Sequence, residues 1–427
     1  MAAISRRRVL AGLGGAAAGA ALAGCAGNAS ASDDSTITVM NWEALDGSPY
    51  PKVFDAFTRA TGKKIKYQFA ASGSDYWVKC RTVLGASNPP DLMRIDDDFV
   101  ASYAKTGRLH DLRDFMRESG LHEADYFATV YNNARQPDGS YVGWSLGMQP
   151  RVLFYNKTMF KEAGVPLPPT TWTDEGWKWA DFLDAAKKLS LPDKRWGACV
   201  LDDSGFEMIF TVNNGGTGRW SKDGRRFTLA DPADAEGYQF VADLTCEHDA
   251  QPRWSELQQD GKGAEMFAAG QIGMIQRVST FVDFFRQNVK DFEWDIAPIP
   301  GQVRQQTYAN QIVFAIPAKA AHKEQAWQLL HYLTSTPGAT GFAKAGAFVP
   351  GLRSAADGIT ASGGGGSPRH MGLMLEAANN AVLPGRVVEV QQALQIYRPA
   401  LDDVRNCRAS ASDVLGRLRP EIEEIIG

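Results

Sequence analysis

The sequence has no apolar stretch long enough to cross a bilayer. Its longest, Val9 to Gly24, is about sixteen Ala- and Gly-rich residues, whereas a spanning helix takes roughly twenty strongly apolar ones. A permanent transmembrane anchor is not expected on that count. Cysteine is also scarce, five in 427 residues with no CxxC pair, and the six histidines are scattered, so no zinc site is expected. There is no Gly-x-Ser-x-Gly elbow and no His-Glu-x-x-His helix, which removes the common serine-hydrolase and metalloprotease signatures. The glycine run within Ser362 to Ser367 is not followed by the Lys and hydroxyl of a phosphate-binding loop, and it reads as a surface loop. No cofactor is called for. Basic surplus is missing too: the formal net charge is −4, which gives nothing to attract nucleic acid or anionic lipid. No repeat of 20 to 50 residues is visible, which counts against an adhesive or structural surface protein.

What is present begins with a leader. Arg6, Arg7 and Arg8 precede the Val9 to Gly24 run, the layout of an export signal. Ser5-Arg6-Arg7-Arg8-Val9-Leu10 resembles a twin-arginine signal, and an Arg-rich start also serves general secretion. Leu22-Ala23-Gly24-Cys25 resembles a bacterial lipobox, in which the thiol of Cys25 carries the lipid. The expectation is a signal peptide over 1–24, lipidation at Cys25, a polar tether over 25–35, and attachment to the outer face of the membrane by lipid alone. Cleavage removes three arginines and no acid, leaving 403 residues with 42 basic against 49 acidic side chains. That length favours two domains. For Cys80, Cys199, Cys246 and Cys407, an exported chain permits a disulfide, but three full pairings and free thiols all stay open.

Periodicity then gives an alternating α/β pattern. Thr36 to Met40 alternates as a strand, Tyr50, Val53, Phe54 and Phe57 follow at helical spacing, and Thr61-Gly62 stops the helix. Ile65, Tyr67 and Phe69 alternate again. A helix holding Trp77, Val78, Arg81 and Val83 leads to Pro89-Pro90, then Leu92 to Ile95 reads as a buried strand, and Val100 to Ala104 starts the next helix. Val152 to Tyr155 and Ile312 to Ile316 are further strands; Ala326, Trp327, Leu329, Leu330 and Leu333 share one helix side as core. In open sheets of this kind ligands sit beyond the carboxyl ends of the strands, which directs attention to the loops 41–47, 70–75 and 96–98.

The order of several segments resembles the family of extracellular solute-binding proteins that includes the maltose-binding proteins. Pro90-Asp91-Leu92-Met93 with Tyr103-Ala104-Lys105-Thr106-Gly107-Arg108-Leu109 is similar to its "PD, then YA-x-x-G-x-L" stretch. Tyr155-Asn156-Lys157, Phe160-Lys161-Glu162-Ala163-Gly164 and Pro168-Pro169-Thr170-Thr171-Trp172 match YNK, F-x-x-AG and PPTTW. Met266 to Met274, Ala297-Pro298-Ile299-Pro300-Gly301, Ala326-Trp327 and Phe342 to Pro350 continue the series to the carboxyl terminus.

The resemblance implies an α/β fold of the periplasmic-binding-protein-like type II, with two α/β lobes, a ligand cleft and a hinge. Carried onto this chain, one lobe takes 36–148 plus 302–348 and the other 152–297 plus 352–427, with crossings near Gln149 to Arg151, Pro298 to Gln302 and Val349 to Leu352. The implied function is the substrate-binding lipoprotein of an ABC importer, a monomer that binds a sugar or oligosaccharide and presents it to the permease transmembrane subunits. The alternatives are a secreted carbohydrate-active hydrolase and a binder of a non-sugar solute. A glycosidase needs two opposed carboxylates roughly 5 to 9.5 Å apart, and the runs Asp96-Asp97-Asp98 and Asp202-Asp203 do not establish such opposition.

A sugar site needs aromatic plates and planar polar groups. Trp42 and Glu43 follow the first strand, where the family places ligand contacts; the competing reading is a core lid with a solvated acid. Asp96 and Asp97 follow the Leu92 strand and either accept from hydroxyls or cap a turn. Gln149 aligns with a family contact at the first crossing. Arg151, two residues on, shares its face, or pairs with a carboxylate across the lobes. Phe206 resembles a family stacking residue without its usual aromatic neighbour, and Asn213, in the Asn213-Asn214 pair that follows it, is a further candidate contact. Arg277 and Thr280 stand where the family often has a Gly-x-Trp. Asn310 and Gln311 complete the set as amides before the Ile312 strand.

Overall fold

The computed structural model describes residues 35–46, 48–69, 73–173, 176–192, 194–259, 261–346, 348–363 and 366–427. The leader, Cys25 and all of the tether except Ser35 lie outside these residues.

β1 (Thr36–Asn41) lies parallel between β2 (Lys64–Phe69) and β3 (Leu92–Ile95). The Tyr50–Thr61 helix crosses from β1 to β2, burying Tyr50, Val53, Phe54 and Phe57, and ends where Gly62 takes φ 75°, a left-handed cap that costs glycine least. The Pro90-Asp91 pair has a mechanical role. Asp91, buried, accepts from Thr38 N and Thr38 Oγ1 at 2.8 and 2.7 Å, while its own N–H donates to Thr38 Oγ1 at 2.9 Å, locking the entry of β3 onto β1.

β4 (Trp144–Asn156) is far longer than the Val152 to Tyr155 core that periodicity marks. Gly147 and Pro150 fall inside it as signals that end a strand reading, and both halves are buried, so period-2 alternation is lost. Its first half pairs antiparallel with β8 (Thr307–Ala315), up to Pro150 opposite Ala309; its second half pairs with β6 (Ile272–Val278), starting at Arg151 opposite Val278. The change of partner falls at Pro150, which has no N–H to give a ladder. β5 (Trp196–Cys199) runs parallel to β6, and β7 (Trp294–Ala297) is antiparallel to the end of β4. The strand path is β2-β1-β3-β8-β4-β6-β5. β9 (Val349–Pro350) returns to Gly147 and Met148 of β4, and β10 (Ala381–Val382) runs along the start of β8. A Cβ on Gly147 would lie 2.3 Å from the Val349 carbonyl, so the close approach at this return admits glycine only.

The segment joining β7 to β8 is stitched from outside. Trp172 Nε1 donates to the Gln305 carbonyl at 2.7 Å, Thr173 N donates to Gln305 Oε1 at 3.0 Å, and Gln305 Nε2 donates to the Ile299 carbonyl at 2.8 Å. The tryptophan of the PPTTW block thus clamps a connection 133 residues away.

One core cluster runs through most of the chain, and a second, with Met40, Tyr76, Met93 and Ile95, covers the other face of β1, β3 and β8. Cys246 and Cys407 form a disulfide, while Cys80 and Cys199 are buried free thiols. The helix Lys323–Thr334 buries the side expected of it. His322 and His331 are partly buried: His322 sits 3.1 Å from Asp91, and His331 stacks on Trp327. Ser362 and Gly363 close a 3-10 segment, Asp357–Gly363, rather than opening a loop. Among the described residues no helix is long and apolar enough to cross a membrane.

Candidate functional site

The polar residues gather beyond the ends of β1 and β3. Asn41 closes β1, and its Oδ1 accepts from Trp42 N at 2.8 Å, turning the chain so that Trp42 and Glu43 leave the sheet. Beneath them lies Arg94 from β3, whose side chain is 2% exposed. Its guanidinium carbon stands 3.5 Å from the Trp42 ring centroid, and its Nη1 donates to Glu43 Oε1. Tyr67 Oη holds the Glu43 carbonyl at 2.6 Å, and Tyr76 meets Trp42 edge to face at 5.4 Å. Trp42 is therefore a plate fixed from below, partly buried against the second core cluster.

Trp42, Glu43 and Gln149 line a cleft with about 640 Å³ open to water, within the range of small-molecule sites. Its other wall is one helix face. Thr280, Asp283, Phe284 and Gln287 all line it, at the i, i+3, i+4, i+7 spacing of residues along the Phe281–Asn288 helix and its N-cap. That spacing was in the sequence, but a search for the family's Gly-x-Trp stops at Thr280.

The acidic turn does two different jobs. Asp96 caps, its Oδ1 accepting from Asp98 N at 2.8 Å. Asp97 accepts from Gln311 N at 2.7 Å and from Asn310 Nδ2 at 3.2 Å. Burial, then the Asp98 charge, push the Asp97 carboxyl up to about 6, against the pull of the Gln311 N–H. Asp96 is raised as well, by burial and by Asp97 and Asp98. Asp98, outside the expected set, takes both guanidinium nitrogens of Arg219 at 3.0 to 3.1 Å.

Arg151 pairs with a carboxylate, as one of its two readings had it. Its Nε donates to Asp203 at 2.9 and 3.0 Å, its Nη1 donates to Asn310 Oδ1 at 2.8 Å, and it lies over the Tyr308 ring at 4.7 Å. Burial would raise Asp203, yet Arg151 and Arg277 beside it hold its carboxyl below the usual value. Arg277 donates to the Asp202 carboxylate at 2.8 Å and covers Phe281 at 3.9 Å. Asn310 is spent between Arg151, Asp97 and the Tyr308 hydroxyl at 3.0 Å.

Three expectations need correction in place. Phe206 is 1% exposed and packs on Tyr238 at 5.0 Å; it starts a helix buried on every side, so it is core and not a plate. Asn213 is fully buried, its Oδ1 accepting from Gln306 N at 2.7 Å and its Nδ2 donating to the Gln306 carbonyl at 3.0 Å, so it fastens the β7–β8 connection. Gln311 is 1% exposed and faces inward beside Asp97. Arg94, Asp98 and Arg219 were missed, because a charge's partner tens of residues away leaves no local pattern; Asp283 was missed although its helical spacing with Thr280, Phe284 and Gln287 is local.

A small cavity of about 40 Å³ lies next to Asp97 and Asp98, walled also by Trp220, Asn132 and Arg386. Among the described residues no group of three or more His, Cys, Asp or Glu is arranged to hold a metal.

The family model for bacterial extracellular solute-binding protein matches residues 41–340. The chain is 25% identical over 371 residues to the diacetylchitobiose binding protein DasA of Streptomyces coelicolor, covering 81% of this chain and 82% of that protein. It is 25% identical over 210 residues, 45% of each chain, to the sn-glycerol-3-phosphate-binding periplasmic protein UgpB of Agrobacterium fabrum. In structure it matches the ABC substrate-binding protein Lmo0181 of Listeria monocytogenes, solved with cycloalternan, with a TM-score of 0.82 at 20% identity over 91% of this chain and 98% of that one. With the change of sheet partner inside β4 and the cleft beyond β1, these matches place the chain in the bacterial extracellular solute-binding protein family, on the periplasmic-binding-protein-like type II fold of two α/β lobes.

Proposed function

We propose that the protein is the substrate-binding lipoprotein of an ABC importer, binding a sugar or oligosaccharide and passing it to a membrane permease. The observation that carries this reading is the cleft of about 640 Å³ with Trp42 on one wall and Phe284 on the other, and Gln149, Gln287, Glu43 and Thr280 between them. Aromatic faces cover the C–H faces of a pyranose, and amides, hydroxyls and carboxylates serve its hydroxyls in both directions. DasA and Lmo0181, the one a diacetylchitobiose binder and the other solved with an oligosaccharide, support a saccharide. The lobes are 36–148 plus 302–348 and 152–297 plus 352–427, Cys25 carries the lipid that holds the monomer at the outer face, and ligand contacts from both lobes favour the closed form that the permease reads.

No bond is broken in the ligand. The cleft carboxylates Glu43 and Asp283 are each engaged by an arginine, Arg94 and Arg286, which suits fixed acceptors better than a proton-shuttling pair. A thermal-shift screen against mono- and oligosaccharides tests the reading: a ligand at 100 times its dissociation constant adds about 2.7 kcal/mol of stability. The ligand should be recovered chemically unchanged. A flat response to every sugar, or recovery of a cleaved product, overturns it.

A further inference from the structure

Resting on the saccharide reading, we infer that the cleft selects by charge: it admits an uncharged polyhydroxyl ligand and rejects the same carbon skeleton carrying a phosphate or carboxylate. The family itself leaves this open, since one relative is a glycerol-phosphate binder by name. This chain's own charges decide it.

The charged groups in the cleft wall are Glu43, Asp46 and Asp283, and among the described lining residues there is no Lys or Arg. An anion entering this space meets carboxylates first. Five arginines stand behind the surface, the most exposed being Arg286, 26% exposed and 3.5 Å from Asp283, and each is already held by an acid. Arg94 is on Glu43, Arg151 on Asp203 at 2.9 Å, Arg219 on Asp98 at 3.0 Å and Arg277 on Asp202 at 2.8 Å, with the arginine side chains 2%, 7%, 4% and 7% exposed. To recruit any of them, a phosphate must displace a carboxylate and leave it facing a second negative charge in a poorly hydrated place, which costs more than the new contact returns. Arg386 donates through its guanidinium to the Arg135 carbonyl, and it faces the cavity of about 40 Å³ whose wall includes Asp97 and Asp98. That cavity holds roughly a water molecule and offers no phosphate pocket. The neutral groups behave oppositely: Gln149, Gln287, Ser48 and Thr280 both donate and accept, as sugar hydroxyls require, whereas a phosphate dianion takes donors only.

The test uses matched pairs on the purified protein, by calorimetry and thermal shift: glucose with glucose 6-phosphate, galactose with galacturonate, cellobiose with cellobionate, glycerol with glycerol 3-phosphate. In the responding pair the neutral member should bind at least 100-fold more tightly than its anion. Glu43→Gln, which uncovers Arg94, and Asp283→Asn, which subtracts a wall charge and loosens the hold on Arg286, should each narrow that ratio at least tenfold; circular dichroism and the ligand-free Tm establish that the variants are folded. Equal or preferential binding of an anionic member by the unaltered protein overturns the charge selection and leaves a saccharide-sized cleft standing. A ratio unmoved in both variants also overturns it. Silence across all the pairs overturns the saccharide reading and this inference together.

Discussion

Arg94 occupies a strand whose other three residues, Leu92, Met93 and Ile95, are buried apolar side chains. Its charge is neutralised by Glu43, whose side chain is 29% exposed, and its flat face supports Trp42. Arg94→Met keeps the volume and removes the charge, so Glu43 loses a partner but can turn toward water. The expected loss is about 1–3 kcal/mol, below the range for a fully buried pair, read as a shift of the urea midpoint at constant slope. Ligand affinity should fall with it, since the plate and the acceptor both come loose. Asp97 gives a pH effect. Its carboxyl titrates at about 6 in the folded chain and near 3.9 in the unfolded one. The folded state therefore holds the extra proton between these values, and this residue's contribution to stability falls as pH rises from about 4 to about 6, then stays level. Asp97→Asn retains the acceptor for Gln311 N and removes that fall. Tm measured from pH 4 to 7 should decline less, or rise more, in the variant; the difference between the two curves is the readout, because Asp203, held below its usual value, pulls the other way in acid. At this scale the sequence is legible where neighbours along the chain make the site. Trp42, Glu43 and Gln149 reach the cleft as their positions after a strand or at a crossing predict. Phe206 and Asn213 do not, because an apolar ring and an amide look alike whether they serve a ligand or a core. Arg94 and Arg219 were invisible, their partners lying 51 and 121 residues away.

Elements were legible in proportion to their punctuation. The Tyr50–Thr61 helix and β3 fall where Gly62 and Pro89-Pro90 mark their limits. β4 was read at a third of its length because Gly147 and Pro150 punctuate it and both its faces are buried, and β8 was missed at its start, Thr307 to Gln311, because buried polar side chains there break the apolar pattern. The disulfide was open from spacing alone; folding decides it by bringing the end of the Pro232–Cys246 helix beside the turn at Cys407, with the two Cα atoms 5.6 Å apart. That turn holds Cys407 at φ 61°, a conformation a non-glycine residue adopts rarely, so the bond secures a disfavoured backbone as well as closing a 161-residue separation. Replacing both cysteines by serine should cost about 2–5 kcal/mol. Denaturant titration of the double variant should match the reduced unaltered protein, because Cys80 and Cys199 are buried thiols with no partner to exchange.

For the molecule as a whole, three chain passages meet on β4: its own run through Pro150, the return into β8, and β9 against Gly147 and Met148. With the lobes divided as proposed, the Asp98–Arg219 pair joins one to the other, and Lys105–Glu389 at 2.9 Å does so at the surface. The exposed pair contributes little. On the proposed closure the buried one would act as a latch, held dry and bidentate in the closed form and returned to water on opening. Asp98→Ala tests this against an ordinary core ion pair. A core pair broken on one side leaves Arg219 stranded, costs about 3–5 kcal/mol and leaves the shape unchanged. A latch lets the lobes part instead, so Arg219 is rehydrated, the urea midpoint moves little, and the radius of gyration of the ligand-free protein by X-ray scattering rises. Ligand must then draw closed a population that starts more open, and the apparent affinity falls by the closed fraction lost, about tenfold for each 1.4 kcal/mol. Saturating ligand should restore the compact radius in the variant, because the cleft wall of Trp42, Gln149 and Phe284 is untouched by the change.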